Sequence, residues 1–399
     1  MRRVVVVGAS LAGMRAAESL RSEGFAGELA VVGAEGHLPY DRPPLSKQFL
    51  QGTWDRARIA LRSEERLGAL GLDLRLGAVA ADLDPVGHLV HLSDGDELAY
   101  DGLVVATGAA PRTLPGSEGL TWVHVLRTLD DAESLRSAFA QGAQRMVVVG
   151  AGFIGSEVAS SCRAMGMDVT VVEALEVPLS GVLGEQMGRV CADLHQENGV
   201  ELVTGVGVVG FEEPEVGSRR IRLSDGRLLP ADVAVVGIGV TPATSWLEGS
   251  GLEVANGVHC DGRLFAAPDV VVAGDVANWL DEATGDRVRI EHWTNAAEQG
   301  VLAGRNLLSG SSDAAPYDAV PYFWSDVYGS KIQVLGRPGP DDQVVVVHGS
   351  TGEKRFVALY ERRGRLSGVL GFSSPRQVMS MRAQLVSQAR FDEALAAFT

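Results

Sequence analysis

Two glycine-spaced turns carry the clearest chemistry in this sequence. Gly150, Gly152 and Gly155 form a full G-x-G-x-x-G inside GAGFIGSEVA at 150–159, a stretch that also holds Phe153, Ile154 and Glu157. Gly8, Ser10 and Gly13 repeat the spacing with serine in the middle, and Ala12 sits between the last two. Backbone without Cβ lets a pyrophosphate approach, and the N–H groups and dipole of a following helix favour its charge. Each turn therefore predicts a dinucleotide cradle. An acid follows each one, Glu35 after the first and Glu173, 23 residues past Gly150, after the second. A carboxylate there accepts from ribose hydroxyls and repels a 2′-phosphate, so Glu173 points to NAD rather than NADP. No arginine follows Glu173 before Arg189 to reverse that preference.

Further candidates lie between and beyond these turns. PYDRPPLSK at 39–47 is a proline-rich loop that opens a helix near Leu45-Ser46 and holds Arg42 and Lys47 in a set place. A strand at Leu103 to Val105 ends in Ala106, Thr107 and Gly108, and GIGVTP at 237–242 brings Gly239 to another strand end. Small residues there let a ligand reach the carboxyl edge of an open sheet. Val270 to Ala273 runs into Gly274 and Asp275, where the acid is expected at a helix N-terminus with its carboxylate turned to a polyol hydroxyl. Glu291, His292 and Trp293 stand just before a helix as candidate cofactor-binding residues, although a lone histidine there is more often structural than catalytic.

The elements that must position these residues follow from hydrophobic runs. Val4 to Val7 is a buried strand, Met14 to Leu20 a helix and Glu28 to Val32 a second strand. Asp55 to Leu70 reads as a basic helix and loop. Strands follow at Leu72 to Leu76 and Leu89 to Leu92, with a turn at Ser93 to Asp96. After a linker at Pro111, Pro115 and Gly116 the pattern restarts: helix Asp130 to Ala140, strand Arg145 to Val149, fingerprint, helix, and strand Asp168 to Val172. A helix ends over Cys191 to Gly199, a strand spans Glu201 to Val209, and a hairpin spans Val216 to Pro230 around Asp225-Gly226. Ala231 to Val236 is a strand, and Pro242 marks the return to the first domain. From Val320 short β-rich runs precede helices from Gln377 and Phe391. The expected fold is α/β, with two Rossmann-like dinucleotide-binding domains and a small α+β C-terminal domain. Its boundaries fall at 1–112 with 241–320, 113–240, and 321–399.

Composition narrows the function. The 399 residues are too many for one core, and no run of about 20 apolar residues suggests a membrane span. No signal peptide is evident before the first strand, so a cytoplasmic location is expected. The net charge of −16 argues against nucleic acid as a partner. Ser325 to Thr399 departs from that average, with ten Lys and Arg against seven Asp and Glu, which suits an acidic partner protein. Cys162, Cys191 and Cys260 form no C-x-x-C, and no metal cluster or catalytic triad is evident. Two dinucleotide units suggest two cofactors, most simply a flavin and a nicotinamide. A flavin takes a hydride and releases electrons singly, which neither side chains nor NAD can do.

The chain resembles the FAD-dependent NADH:ferredoxin reductases of bacterial oxygenase systems, which share the glutathione-reductase-like flavoprotein fold. The resemblance rests on PYDRPPLSK at 39–47, ATG at 106–108, LRT at 126–128, GAGFIGSEVA at 150–159, GIGVTP at 237–242, AGD at 273–275, EHWTNAAEQG at 291–300 and PYFWSD at 321–326. It implies that Gly8, Ala12, Gly13, Lys47, Val79, Thr107, Arg127, Asp275 and Trp293 surround FAD, with Lys47 near the flavin ring. It also implies that Glu157 faces the nicotinamide, Glu173 holds the adenosine ribose, and Trp324 marks the exit for electrons. Ser10 departs from the family's middle glycine, and Ala34 from its usual Asp, leaving Glu35 as ribose ligand. Disulfide reductases of this fold need a thiol beside the flavin. No cysteine precedes Cys162, and Cys162 lies inside a predicted helix without a partner. The resemblance thus implies NADH, FAD and a [2Fe–2S] ferredoxin partner, with oligomeric state open. The rivals are a rubredoxin acceptor and a flavoprotein redox sensor resembling apoptosis-inducing factor.

Overall fold

In the computed structural model every residue is described except 216, 217, 283 and 399. The fold is α/β, and the chain divides into two compact units. The first comprises Met1–Asp41, Arg56–Ala110 and Val240–Ala319; the second comprises Arg42–Asp55, Pro111–Gly239 and Val320–Thr399.

The first unit is built on a six-stranded sheet around β1 (Arg3–Val7). Val4 to Val7 are at most 3% exposed, as expected of β-branched residues covered on both faces. β1 runs parallel to β2 (Glu28–Gly33) on one side and β3 (Gly102–Val105) on the other, and β3 pairs onward with Val270–Val272. Helix α1 (Leu11–Ser22) packs against the helix Trp293–Ser309. Side chains at Gly300 and Gly304 would strike the carbonyl oxygens of Ala12 and Ala16 at 2.3 and 2.7 Å, so bare backbone sets this close approach.

The second unit repeats the scheme. β4 (Arg145–Val149) lies between β5 (Asp168–Val172) and β6 (Val233–Val236), all parallel, with Glu201–Val203 and Val123–His124 at the edges. Helix α2 (Phe153–Ala164) follows β4, and α3 (Ser180–Glu197) breaks at Gly184, whose φ of 74° is non-helical. The C-terminal module is a five-stranded antiparallel sheet with β7 (Tyr322–Val327) at one edge and Gln343–Ser350 at the other, followed by three short helices. Leu183, Met187 and Leu194 of α3 share a core with Val334, Phe356 and Phe372 of that sheet. At the α3 break the Tyr360 hydroxyl donates to the Leu183 carbonyl at 2.9 Å, satisfying an acceptor that the helix leaves open.

Several local expectations are corrected. Asp275 caps no helix: the chain turns at Gly274 and enters the strand Ala277–Leu280, because Ala277 N–H donates back to the Gly274 carbonyl. The strand expected over 201–209 is two, Glu201–Val203 and Val208–Glu212, the second opening an antiparallel sheet with Arg220–Leu223 and Leu228–Pro230. Val216, the first residue of the expected hairpin, lies outside the described residues. The helix expected after the prolines is a single 3-10 turn, Pro43–Ser46.

Candidate functional site

The two glycine turns are built alike, bond for bond. In the first, Gly8 N–H donates to Val32 at 2.8 Å and Ala106 N–H to Val7 at 2.8 Å; in the second, Gly150 N–H donates to Val172 and Gly237 N–H to Val149, both at 2.7 Å. Gly8 (φ 121°) and Gly150 (φ 101°) are left-handed, and a Cβ there would meet the Ala106 and Gly237 oxygens at 2.1 and 2.4 Å. A Cβ on Gly13 or Gly155 would meet the oxygen of Gly8 or Gly150 at 1.8 or 2.0 Å. The middle position differs. A Cβ on Gly152 meets nothing within 4 Å, and its φ of −71° suits any residue. Ser10, the equivalent cap of α1, occupies that open space without a side-chain capping bond. Both helix starts therefore present N–H groups uncapped by side chains beside bare backbone, and both fit a pyrophosphate.

Around the first turn, Tyr40 donates its hydroxyl to the Glu35 carboxylate, while the Glu35 carbonyl accepts from Gly77. Thr107 Oγ1 donates to the Ala243 carbonyl at 2.7 Å, and Gly108 (φ 69°) accepts from Ala243 N–H. Gly274 N–H donates to Gln299 Oε1 at 2.9 Å, and a Cβ at Gly274 would press on Ala12. The Asp275 carbonyl accepts from Arg289, which also pairs with Glu291 at 2.7 Å. His292 is the N-cap residue ahead of Trp293, and burial pulls its pKa down to about 4. Trp293 donates its indole N–H to Asp41 at 2.6 Å, and Val79 keeps 45% of its surface exposed.

In the second unit the Glu173 carboxylate reaches back to the turn, accepting from Ala151 N–H at 2.7 Å and Leu175 N–H at 2.9 Å. It thereby fixes the loop as well as standing at the strand end. Ile154 is exposed at the start of α2, and Gly239 (φ 96°) accepts from Arg112 N–H at the end of β6. Arg42 donates to the Arg127 carbonyl at 2.5 Å, and Arg127 N–H donates to Asp131, whose carboxylate and Thr128 form a capping box on the helix Leu129–Ala140.

The most organised polar cluster surrounds Glu157, which α2 buries to 3% exposure. Lys47 Nζ lies 2.7 Å from its Oε2, and Ser46 Oγ donates to the same oxygen at 2.5 Å. Its Oε1 accepts from Ser325 Oγ at 2.8 Å and Asp326 N–H at 3.3 Å. Four donors satisfy one carboxylate, which keeps its charge tolerable away from water. Successive residues of β7 face opposite ways. Phe323 and Ser325 meet α2, with the Phe323 and Phe153 rings 4.7 Å apart, while Trp324 stacks on Tyr322 at 6.1 Å.

Sequence patterns single out Lys47, Glu157 and Trp324 but not Ser46 or Ser325, although both serines sit inside quoted motifs beside those residues. His195, Tyr328 and Ser160 carry no sequence signal at all, and Ser156 lies inside the second fingerprint without being singled out; the four are brought together from three separate stretches. Cys162, Cys191 and Cys260 are buried free thiols; burial pushes the first two up to about 12 and the third higher. None is poised as a thiolate. Among the described residues no helix is long and apolar enough to cross a membrane.

Residues 2–300 match the pyridine nucleotide-disulphide oxidoreductase family, and residues 322–398 match the reductase C-terminal domain. The chain is 37% identical to rhodocoxin reductase of Rhodococcus erythropolis, across 96% of this chain and 90% of that protein. It is also 37% identical to the ferredoxin–NAD(+) reductase component of the p-cumate 2,3-dioxygenase system of Pseudomonas putida, across 84% and 81%. Among solved structures, the covalent putidaredoxin reductase–putidaredoxin complex superposes with a TM-score of 0.91 at 31% identity, covering 97% of this chain and 93% of that one. Both cradles fall within the first of these matches and the C-terminal module within the second: the chain belongs to the pyridine nucleotide-disulphide oxidoreductase family, among its ferredoxin reductases.

Proposed function

We propose that the chain is an FAD-containing, NADH-dependent ferredoxin reductase, cytoplasmic, that supplies a [2Fe–2S] ferredoxin of an oxygenase system. The observation that carries this reading is the pair of cradles built on the same hydrogen bonds, one for each dinucleotide. The first takes FAD: Gly8 and Gly13 admit the pyrophosphate to the α1 N–H groups, Ser10 adds a hydroxyl, and Glu35, held by Tyr40, accepts from ribose. Thr107, Asp275 and Trp293, with Val79, line the remainder of that half. The second takes NADH, with Glu173 selecting against a 2′-phosphate while bracing the turn that binds the pyrophosphate. Bound FAD supplies the chemistry that the side chains lack: acceptance of a hydride and release of electrons one at a time.

The chain's own contribution is positioning and charge. Lys47 offers a cation to the flavin side, and Glu157 keeps that cation in place and presents a fixed carboxylate edge to the nicotinamide. Trp324 lies on the opposite face of β7 from Ser325, and we assign it to the exit of electrons. On this division of labour we assign 1–112 with 241–320 to FAD, 113–240 to NADH and 321–399 to the C-terminal domain. The buried thiols leave nothing to relay electrons to a disulfide. Purified protein should be yellow, release FAD on denaturation and bleach anaerobically with NADH. Colourless protein that FAD cannot reconstitute contradicts the reading.

A further inference from the structure

We infer that Tyr328 is a positioning residue for the hydride-accepting side of the site, acting through a polar clasp that fixes β7 against Glu157. The inference rests on the reading of Glu157 as the carboxylate that faces the nicotinamide.

Tyr328 occupies a position that resists it. Val327 pairs with Ser330, so Tyr328 and Gly329 form a two-residue hairpin turn, with φ values of 51° and 76°. Positive φ at both residues is the type I′ turn, which favours Asn-Gly and strains a bulky aromatic residue. The strain coincides with a chain of hydrogen bonds that begins and ends on α2. Tyr328 N–H donates to Ser160 Oγ at 2.7 Å, the Tyr328 hydroxyl pairs with His195 Nδ1 at 2.8 Å, and His195 Nε2 pairs with Ser156 Oγ at 3.0 Å. Ser156 and Ser160 are one helical turn apart on α2 and flank Glu157. One residue thus grips both serines, directly and through a histidine on α3. His195 is 2% exposed, and burial draws its pKa down to about 4, so the clasp stays neutral.

The clasp lies at the end of the strand that delivers Ser325 Oγ and Asp326 N–H to Glu157 Oε1. Anchoring the turn two residues beyond Asp326 sets where those donors fall, and they in turn set the carboxylate. Strained backbone persists where surrounding structure over-determines it, commonly at functional positions.

The test uses the FAD-loaded enzyme and three single variants. Tyr328→Phe removes the hydroxyl, Tyr328→Asn removes the ring while creating the preferred turn pair, and Ser156→Ala cuts the far end. Each should retain flavin and unfold cooperatively, melting somewhat lower than the parent where the Tyr328 ring or a partner of buried His195 is lost. Each should also weaken NAD+ binding by titration calorimetry and slow anaerobic flavin bleaching by NADH about tenfold, as small misplacements of a reacting group do. Because the clasp acts through Glu157, combining Tyr328→Phe with Glu157→Gln should be no worse than Glu157→Gln alone. NAD+ affinity and bleaching at parent levels in Tyr328→Phe and Ser156→Ala would overturn the clasp, and if the Tyr328 variants do not fold, Ser156→Ala decides alone. Should Glu157→Gln itself leave both measurements unchanged, the reading of Glu157 fails first and takes the inference with it.

Discussion

Lys47 and Glu157 are 110 positions apart in sequence, yet Nζ and Oε2 meet at 2.7 Å with side-chain exposures of 12% and 4%. The pair is asymmetric. Glu157 retains three further donors, from Ser46, Ser325 and Asp326, whereas Lys47 makes its side-chain bond to Glu157. Removing the carboxylate leaves a buried ammonium uncompensated, which typically costs about 3–5 kcal/mol. Glu157→Ala should therefore destabilise the folded chain by that order in urea titrations, and Lys47→Met by distinctly less. Equal losses from the two would contradict this account of the cluster.

Substitution at the turns should separate packing from ligand approach. Gly8→Ala and Gly13→Ala put a methyl 2.1 and 1.8 Å from carbonyl oxygens, so both should yield flavin-free or insoluble protein. Ser10→Gly should keep FAD, since that position has room and its side chain caps nothing. Absorbance near the flavin bands, scaled to protein, measures each case. Flavin lost on Ser10→Gly would show that the hydroxyl is required.

Glu173 serves two ends, and its variants should show both. Glu173→Ala should weaken the preference for NADH over NADPH and, by freeing Ala151 and Leu175 N–H, raise KM for both nucleotides. Adding a cation at the exposed neighbour through Leu175→Arg should raise NADPH use further. Steady-state kinetics with both nucleotides test this, and a native preference for NADPH would refute the role of the strand end.

Acid should expose His195. Its folded-state pKa is depressed to about 4 from the ordinary 6.5, so the unfolded chain binds a proton that the folded chain lacks between those values. The stabilisation is complete above pH 6.5 and is lost as pH falls toward 4, by up to about 1.4 kcal/mol per pH unit. Urea midpoints measured across that window should decline, and His195→Gln should flatten the decline.

The thiols should be silent. Burial keeps all three protonated, so a thiol reagent should titrate none in the native protein and three after denaturation. A fast-reacting native thiol would reopen disulfide chemistry.

The sequence discloses the cradles because a pyrophosphate contact depends on local backbone, and local backbone is written in glycine spacing. Gly150 to Gly155 and Glu173 were legible on those grounds, as was the small-residue end at Ala106 to Gly108. The Asp275 helix cap was not, because an acid after a glycine turn starts a helix or a strand according to distant pairing, here Ala277–Leu280 with Val258–Cys260. Ser325, Tyr328 and His195 were invisible for a related reason. Their chemistry arises only when a C-terminal hairpin and two helices converge, and no periodicity encodes that meeting. Ser10, an apparent flaw in the fingerprint, is explained by the open space beside Gly152.

The central claim is electron delivery to a ferredoxin, and NADH-dependent cytochrome c reduction measured with and without added [2Fe–2S] ferredoxin tests it most directly. The account predicts a slow rate from the flavoprotein alone and a many-fold stimulation by an acidic [2Fe–2S] ferredoxin encoded near its gene, diminished by salt. NADH that bleaches the flavin while no such ferredoxin stimulates the rate would contradict it.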